Sequence, residues 1–170
     1  MSPHEPAGPV YELSEHAKPE AIVVHCSDPR FQEAFARFIG DELHLAPGQF
    51  VPIVVGGGAG ILARPHLMPQ EFRFLKERID RHRRDFPTLR RAVLINHQDC
   101  RYYEMIREKG RALLGLHITG LEPPREDLPA IAKALAEQCP HLGIAPEIYY
   151  ARFADSEGRR VTFERVRPTG

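Results

Sequence analysis

The sequence predicts a three-layer α/β/α domain built on a mainly parallel sheet, and three observations point there. Residues 21–25 and 91–96 are short runs rich in Val, Ile, Leu and Ala, the composition of strands buried on both faces. Each run is followed by a helical pattern, and strands alternating with helices mark an α/β domain. Each run also stops at residues suited to chemistry, Cys26-Ser27-Asp28-Pro29-Arg30 after the first and His97-Gln98-Asp99-Cys100 after the second. Both clusters therefore belong at the carboxyl ends of strands, the edge where open α/β sheets bind ligands.

Composition bounds the rest. A chain of 170 residues, 42% apolar and 27% charged, suits one globular domain with a sizeable core. The expected division is an N-terminal arm over 1–20 and a single domain over 21–170. Lys plus Arg equals Asp plus Glu at 23 each, so no net field recruits nucleic acid or an anionic membrane. Residues 1–20 hold no apolar run of the signal-peptide kind and no later stretch could span a bilayer, which makes a cytoplasmic protein the expectation. Three cysteines in a reducing compartment argue against a disulfide framework and leave metal binding or catalysis.

The arm over 1–20 carries at most one helical turn, near 13–17. After strand 21–25, Phe31, Ala34, Phe35, Phe38 and Ile39 fall at helical spacing, with Gly40 as the stop. Strand 49–55 follows, where Pro52 points to an edge or bulged position, and it runs into Gly56-Gly57-Gly58-Ala59-Gly60. Helix 69–86 turns Phe72, Leu75, Ile79 and Phe86 inward. Its outer face mixes Arg73, Lys76, Arg78, Arg81, Arg83 and Arg84 with Glu71, Glu77, Asp80 and Asp85, a solvated face rather than a nucleic-acid patch. After strand 91–96, a helix from Arg101 directs Tyr102, Met105, Ile106, Leu113 and Leu114 to the core. Helix 127–138 buries Leu128, Ile131 and Leu135, and runs 147–153 and 161–166 form a strand and its hairpin return around Asp155-Ser156-Glu157-Gly158.

Cys26, His97 and Cys100 offer two thiolates and one imidazole, which cancel the charge of Zn²⁺ and match its borderline-soft preference. Three protein ligands leave a fourth tetrahedral position, the mark of a catalytic rather than a structural zinc. Asp28 stands two residues from Cys26 and two from Arg30. Paired with Arg30 it leaves the fourth position to water, whose pKa zinc can lower to about 7. Released, it becomes a fourth ligand and closes the site. Asp28 can also simply cap the helix that begins near Phe31.

Cys26-x-Asp28-x-Arg30 followed by His97-x-x-Cys100 resembles the β-class carbonic anhydrases, and the resemblance extends over about 21–166. It implies four parallel strands with a fifth, antiparallel strand at the edge, a homodimer or higher homo-oligomer, one zinc per chain, and reversible hydration of CO₂. It also implies Cys26, His97 and Cys100 as the metal ligands and Asp28 and Arg30 as the catalytic pair. The chain departs from the family at Pro29, at Arg101 in place of a glycine, and in a glycine-rich turn without the family's arginine and asparagine. Two other readings stay open: a zinc hydrolase of a CO₂ analogue such as COS or CS₂, and a noncatalytic zinc protein closed by Asp28.

Other residues have plainer readings. His25 points to the face opposite Cys26 and is expected to be packed. Cys139, before Pro140 and near His141, reads as a buried free thiol. Asp99 reads as an acceptor behind the ligands or a helix cap. The run from Gly56 to Gly60 fits neither nucleotide-loop pattern and reads as a place where backbone passes close to the metal cleft.

Overall fold

A computed structural model describes residues 9, 11–13, 18–63, 65, 68–105, 108, 125, 128–138, 143 and 146–167. Strands β1 (Ala21–Cys26), β2 (Phe50–Val55), β3 (Arg91–His97), β4 (Pro146–Phe153) and β5 (Val161–Val166) form one sheet in the order β2-β1-β3-β4-β5. All neighbours pair parallel except β4 and β5, which form the antiparallel hairpin. The chain steps from β1 out to β2, then crosses to the other side of β1 for β3. That reversal makes the carboxyl ends of β1 and β3 the topological switch point, where α/β sheets open a crevice.

Strand alternation divides the core. Ile22, Val24, Ala92, Leu94, Ile148 and Tyr150 face one layer, against Leu75 and Ile79 of α2 (Pro69–Asp85) and Leu128, Ile131 and Leu135 of α3 (Leu128–Gln138). Ala21, Val23, Val93, Ile95 and Ala151 face the other, against Phe31, Phe35, Phe38 and Ile39 around α1 (Gln32–Arg37). Three layers result, as the alternating pattern required. Every residue of β1 is buried, whereas β2 pairs only with β1 and exposes Pro52 at the sheet edge.

Two expectations need correction. Gly40 does not end the first helix: α1 widens into a π turn at Phe38–Glu42, closed by Leu43 N–H donating to Phe38 O at 3.1 Å. The wider turn seats both Phe38 and Ile39 in the core, and Gly40 keeps an ordinary negative φ. In the helical residues 101–105, Tyr103 is the buried one, Tyr102 is half-buried and Met105 is 36% exposed, so the buried face is rotated from the expected stripe. Asn96 fixes that rotation by donating to the Tyr103 hydroxyl at 3.1 Å. The expected turn over 13–17, the positions Ile106, Leu113, Leu114, Cys139 and His141, and the start of helix 127–138 at Asp127 lie outside the described residues, wholly or in part.

The basic face of α2 is solvated, with Lys76–Asp80 and Arg81–Asp85 pairs one helical turn apart. No described helix is long and apolar enough to cross a membrane.

The glycine-rich turn is where backbone geometry is most constrained. Gly57 has φ +80°, and a Cβ there would lie 2.1 Å from Tyr102 Cδ1. Gly58 has φ +54°, and a Cβ there would press on Cys26 N at 3.0 Å and Ile95 O at 3.1 Å. Both positions accept only glycine without rearrangement. Gly57→Ala is expected to cost at least about 2 kcal/mol in urea denaturation. Gly40, with nothing within 4 Å of its Cβ position, is the control. Gly40→Ala should stay within about 0.5 kcal/mol of the parent or stabilise it, and equal losses at both positions would contradict this account.

Candidate metal centre

β1 delivers Cys26 and β3 delivers His97 to adjacent strand ends, and the turn after β3 brings back Cys100. One donor atom from each of the three lies within 4.8 Å of the others, and all three residues are buried. The two sulfurs are 3.8 Å apart. Two zinc–sulfur bonds of about 2.3 Å meeting at the tetrahedral angle would separate the sulfurs by about 3.8 Å.

His97 Nδ1 lies 2.8 Å from the Gln98 carbonyl. A carbonyl only accepts, so Nδ1 carries the proton and Nε2 keeps its lone pair. That Nε2 is buried and has no hydrogen-bond partner among the described residues. An orphaned buried acceptor is costly unless something occupies it. The sulfur spacing, the N and S donors and the orphaned nitrogen together fit a zinc ion.

The two thiols share their acidity. The Cys100 thiol beside Cys26 draws the Cys26 sulfur well below its ordinary value, against burial, and His97 adds to the effect. Cys100 is pushed up, first because it donates to Cys26 and then by burial. The pair loses one proton readily and the second reluctantly. A dication between them is what would draw off the second.

Asp28 does two of the three things the sequence allowed. It caps the 3₁₀ turn Pro29–Phe31 by accepting from Arg30 N–H at 3.0 Å. It also accepts from the Arg30 guanidinium, from Nη2 at 2.7 Å and from Nε at 3.1 and 3.2 Å. Arg30, with a smaller contribution from its own backbone N–H, holds the Asp28 carboxyl below its usual range against burial. The Asp28 oxygens therefore lie on Arg30, outside the cluster of three donors. Arg30 itself is raised, first by Asp28 and then by Asp99.

Three supports were not legible beforehand. Gln32 donates from Nε2 to Cys26 O at 2.9 Å and to Asp28 O at 2.7 Å, fixing the turn between ligand and carboxylate. Gln98 ties the second turn to β4, accepting at Oε1 from Phe153 N–H at 3.0 Å. Tyr102 stands in the wall of a cleft of about 350 Å³ with Cys26, Asp28, Arg30, Gly56, Cys100 and Arg101. Its buried hydroxyl has no partner among the described residues, and burial, with Glu71 nearby, pushes it up to about 12. The only advance signal for Tyr102 was its place just after a ligand. His25 is packed as expected, its Nδ1 3.0 Å from Cys26 O and its ring 4.8 Å from that of Phe35, and burial lowers it.

A β-carbonic anhydrase from Trichomonas vaginalis, isoform I, superposes with a TM-score of 0.54, covering 91% of this chain and 87% of its own at 15% identity. The fold is that of the β-carbonic anhydrases. Two further β-carbonic anhydrase structures align less closely, both at TM-score 0.44 and 16% identity. One is from Sordaria macrospora, where two such enzymes are tetrameric, and covers 87% of this chain and 81% of its own. The other is from Aspergillus fumigatus and covers 90% and 77%. The sequence matches no protein-family model and none of the curated proteins. Identity this low establishes the β-carbonic anhydrase fold and leaves the activity to the site.

A carboxyl depressed in the folded state adds stability above its ordinary range, and that stability is lost as pH falls through the folded value. Asp28→Asn keeps the cap and removes the charge. In the metal-free protein it should cost about 1 kcal/mol at pH 7, held low because Arg30 is 40% exposed. The gap from the parent, followed by urea denaturation, should begin to close as pH falls below about 3.9 and vanish once it is below the depressed folded value. A gap that widens instead would mean that Arg30 does not stabilise the Asp28 carboxylate.

Proposed function

We propose that this chain is a zinc-dependent carbonic anhydrase that reversibly hydrates CO₂ to bicarbonate. The observation that carries the reading is the meeting of two buried sulfurs and an orphaned imidazole nitrogen at the β1/β3 switch point, beside a carboxylate held by an arginine. Cys26, His97 and Cys100 would hold the zinc. Bound there, the ion would lower the pKa of water to about 7 and so supply a nucleophile near neutral pH.

The chain's own residues do the rest. The Arg30 guanidinium holds Asp28 off the three donors, which would leave a metal held by them open to solvent and substrate. From the cleft wall Asp28 would accept a hydrogen bond from the attacking water and so orient it toward CO₂. The Gln98 carbonyl fixes the His97 tautomer. Arg101 in the cleft wall, where the family resemblance implies a glycine, supports a second reading, hydrolysis of COS or CS₂. The third reading, a zinc protein closed by Asp28, requires the Asp28–Arg30 contacts to give way.

The test is stopped-flow CO₂ hydration by protein carrying one zinc per chain. Activity should rise from neutral to alkaline pH, fall about 10–100-fold in Asp28→Asn, and disappear with the zinc in Cys100→Ser. No hydration by fully loaded protein would overturn the reading, and product assays on COS and CS₂ would then separate the other enzyme from the closed protein.

We also propose a homodimer. The family resemblance supports it, as does the single-sided pairing of β2, where Val54 is 44% exposed. Light scattering should give twice the chain mass, and a monomeric mass would remove the proposal.

A further inference from the structure

Asp99 lies between His97 and Cys100 and adopts φ +56°, in the left-handed region where Asp and Asn are the best-tolerated residues after glycine. The turn places two acceptors of this one residue on Arg30. The Asp99 carboxylate accepts from Nη1 at 2.9 Å, and its backbone carbonyl accepts from Nη2 at 2.9 Å. The adjacent edge of the same guanidinium, Nε and Nη2, holds Asp28, so that Nη2 serves both partners. One planar fork thus clamps the turn after β1 to the turn after β3. The Asp28 side chain is 8% exposed and that of Asp99 is 53% exposed, so Asp99 anchors the fork from the solvent side.

We propose that Asp99 is a positioning residue that holds the Arg30 guanidinium where it captures Asp28, and so keeps Asp28 from closing the metal position. Arg30 is a long side chain, 40% exposed, that would otherwise sample many rotamers. Anchored on Asp99, it meets Asp28 already oriented. If Asp28 moves toward the metal it must leave the guanidinium behind, because the fork is fixed to the other turn. A bidentate, charge-assisted contact on each side makes the arrangement directional. A bland electrostatic role predicts the reverse: a carboxylate near the metal repels anions, so removing it alone would tighten anion binding.

The inference rests on the metal site proposed above. The experiment loads the protein with Co²⁺ in place of zinc and titrates azide against the visible absorption of the cobalt, in the parent, Asp99→Asn, Asp28→Asn and the double variant. Asparagine keeps the left-handed turn and the backbone acceptor. Asp99→Asn should weaken azide binding about 3- to 10-fold, and by less than about 2-fold when Asp28 is already Asn. Unchanged or tighter binding, or the same loss in both backgrounds, would overturn the proposal.

A second readout needs no metal. Exchange of the Arg30 Nε–H with water, followed by NMR in the metal-free protein, should be at least several-fold faster in Asp99→Asn than in the parent, and equal rates would also overturn it. Failure to take up Co²⁺ would count against the metal reading, leaving this exchange rate to decide whether Asp99 positions Arg30.

Discussion

The parallel pairing of β1 with β3 is the constraint on which the site depends. Cys26 and Cys100 are 74 residues apart in sequence, and only the adjacency of those two strands brings their sulfurs to 3.8 Å. The register is secured from within: Val23 and Val93 pair on one face of the sheet, Ile22 and Ala92 on the other, and a slip of one residue would turn both faces inside out. Burial of the hydrophobic runs, each side chain contributing about 1.5–3 kcal/mol, therefore sets the geometry of the donors. The chemistry of the site is a by-product of where the apolar layers must go.

Around that fixed pair the chain adds close backbone approach and charge. The glycine turn after β2 crosses the ends of β1 and β3 at a distance that excludes a Cβ, bringing Gly56 into the cleft wall beside Cys26. Arg30 then ties the two ligand turns together through Asp28 and Asp99. Phe31, one residue further on, packs its ring 4.1 Å from that of His97, so the carboxylate pair and the imidazole share one support. The site is rigid where donors must meet. The Arg30 fork, though partly exposed, is held by hydrogen bonds to both turns and lies over the Phe31 ring at 5.7 Å.

Much of this was legible in the sequence, for identifiable reasons. Buried parallel strands are nearly continuous apolar runs, and 21–25 and 91–96 announce themselves that way. Cys26, His97 and Cys100 follow those runs directly, so a reading of strand ends also placed the donors. Pro52 narrowed strand 49–55 to an edge or a bulge because proline cannot serve a two-sided ladder, and the sheet order makes it the edge. The misses are local. Gly40 looked like a stop because glycine commonly is one, but packing of Phe38 and Ile39 favoured a widened turn over termination. Tyr102 and Tyr103 are adjacent aromatics, and only the hydrogen bond from Asn96 decides which of them is buried. Gln98 acts through a contact 55 residues away that no spacing rule encodes, Gln32 through local side-chain contacts with the turn just before it, and Asp99 was legible as an acceptor though its partner Arg30 was not.

The most direct test of the central claim is the zinc coordination shell, read by X-ray absorption at alkaline pH on protein loaded with one zinc per chain. The account predicts two sulfurs at about 2.3 Å, one imidazole nitrogen and one light-atom ligand at about 2.0 Å, with the shell unchanged in Asp28→Asn. A shell without two sulfurs would contradict the convergence of Cys26 and Cys100 on one ion. A light-atom ligand that is lost in Asp28→Asn would identify it as Asp28 and contradict the open position.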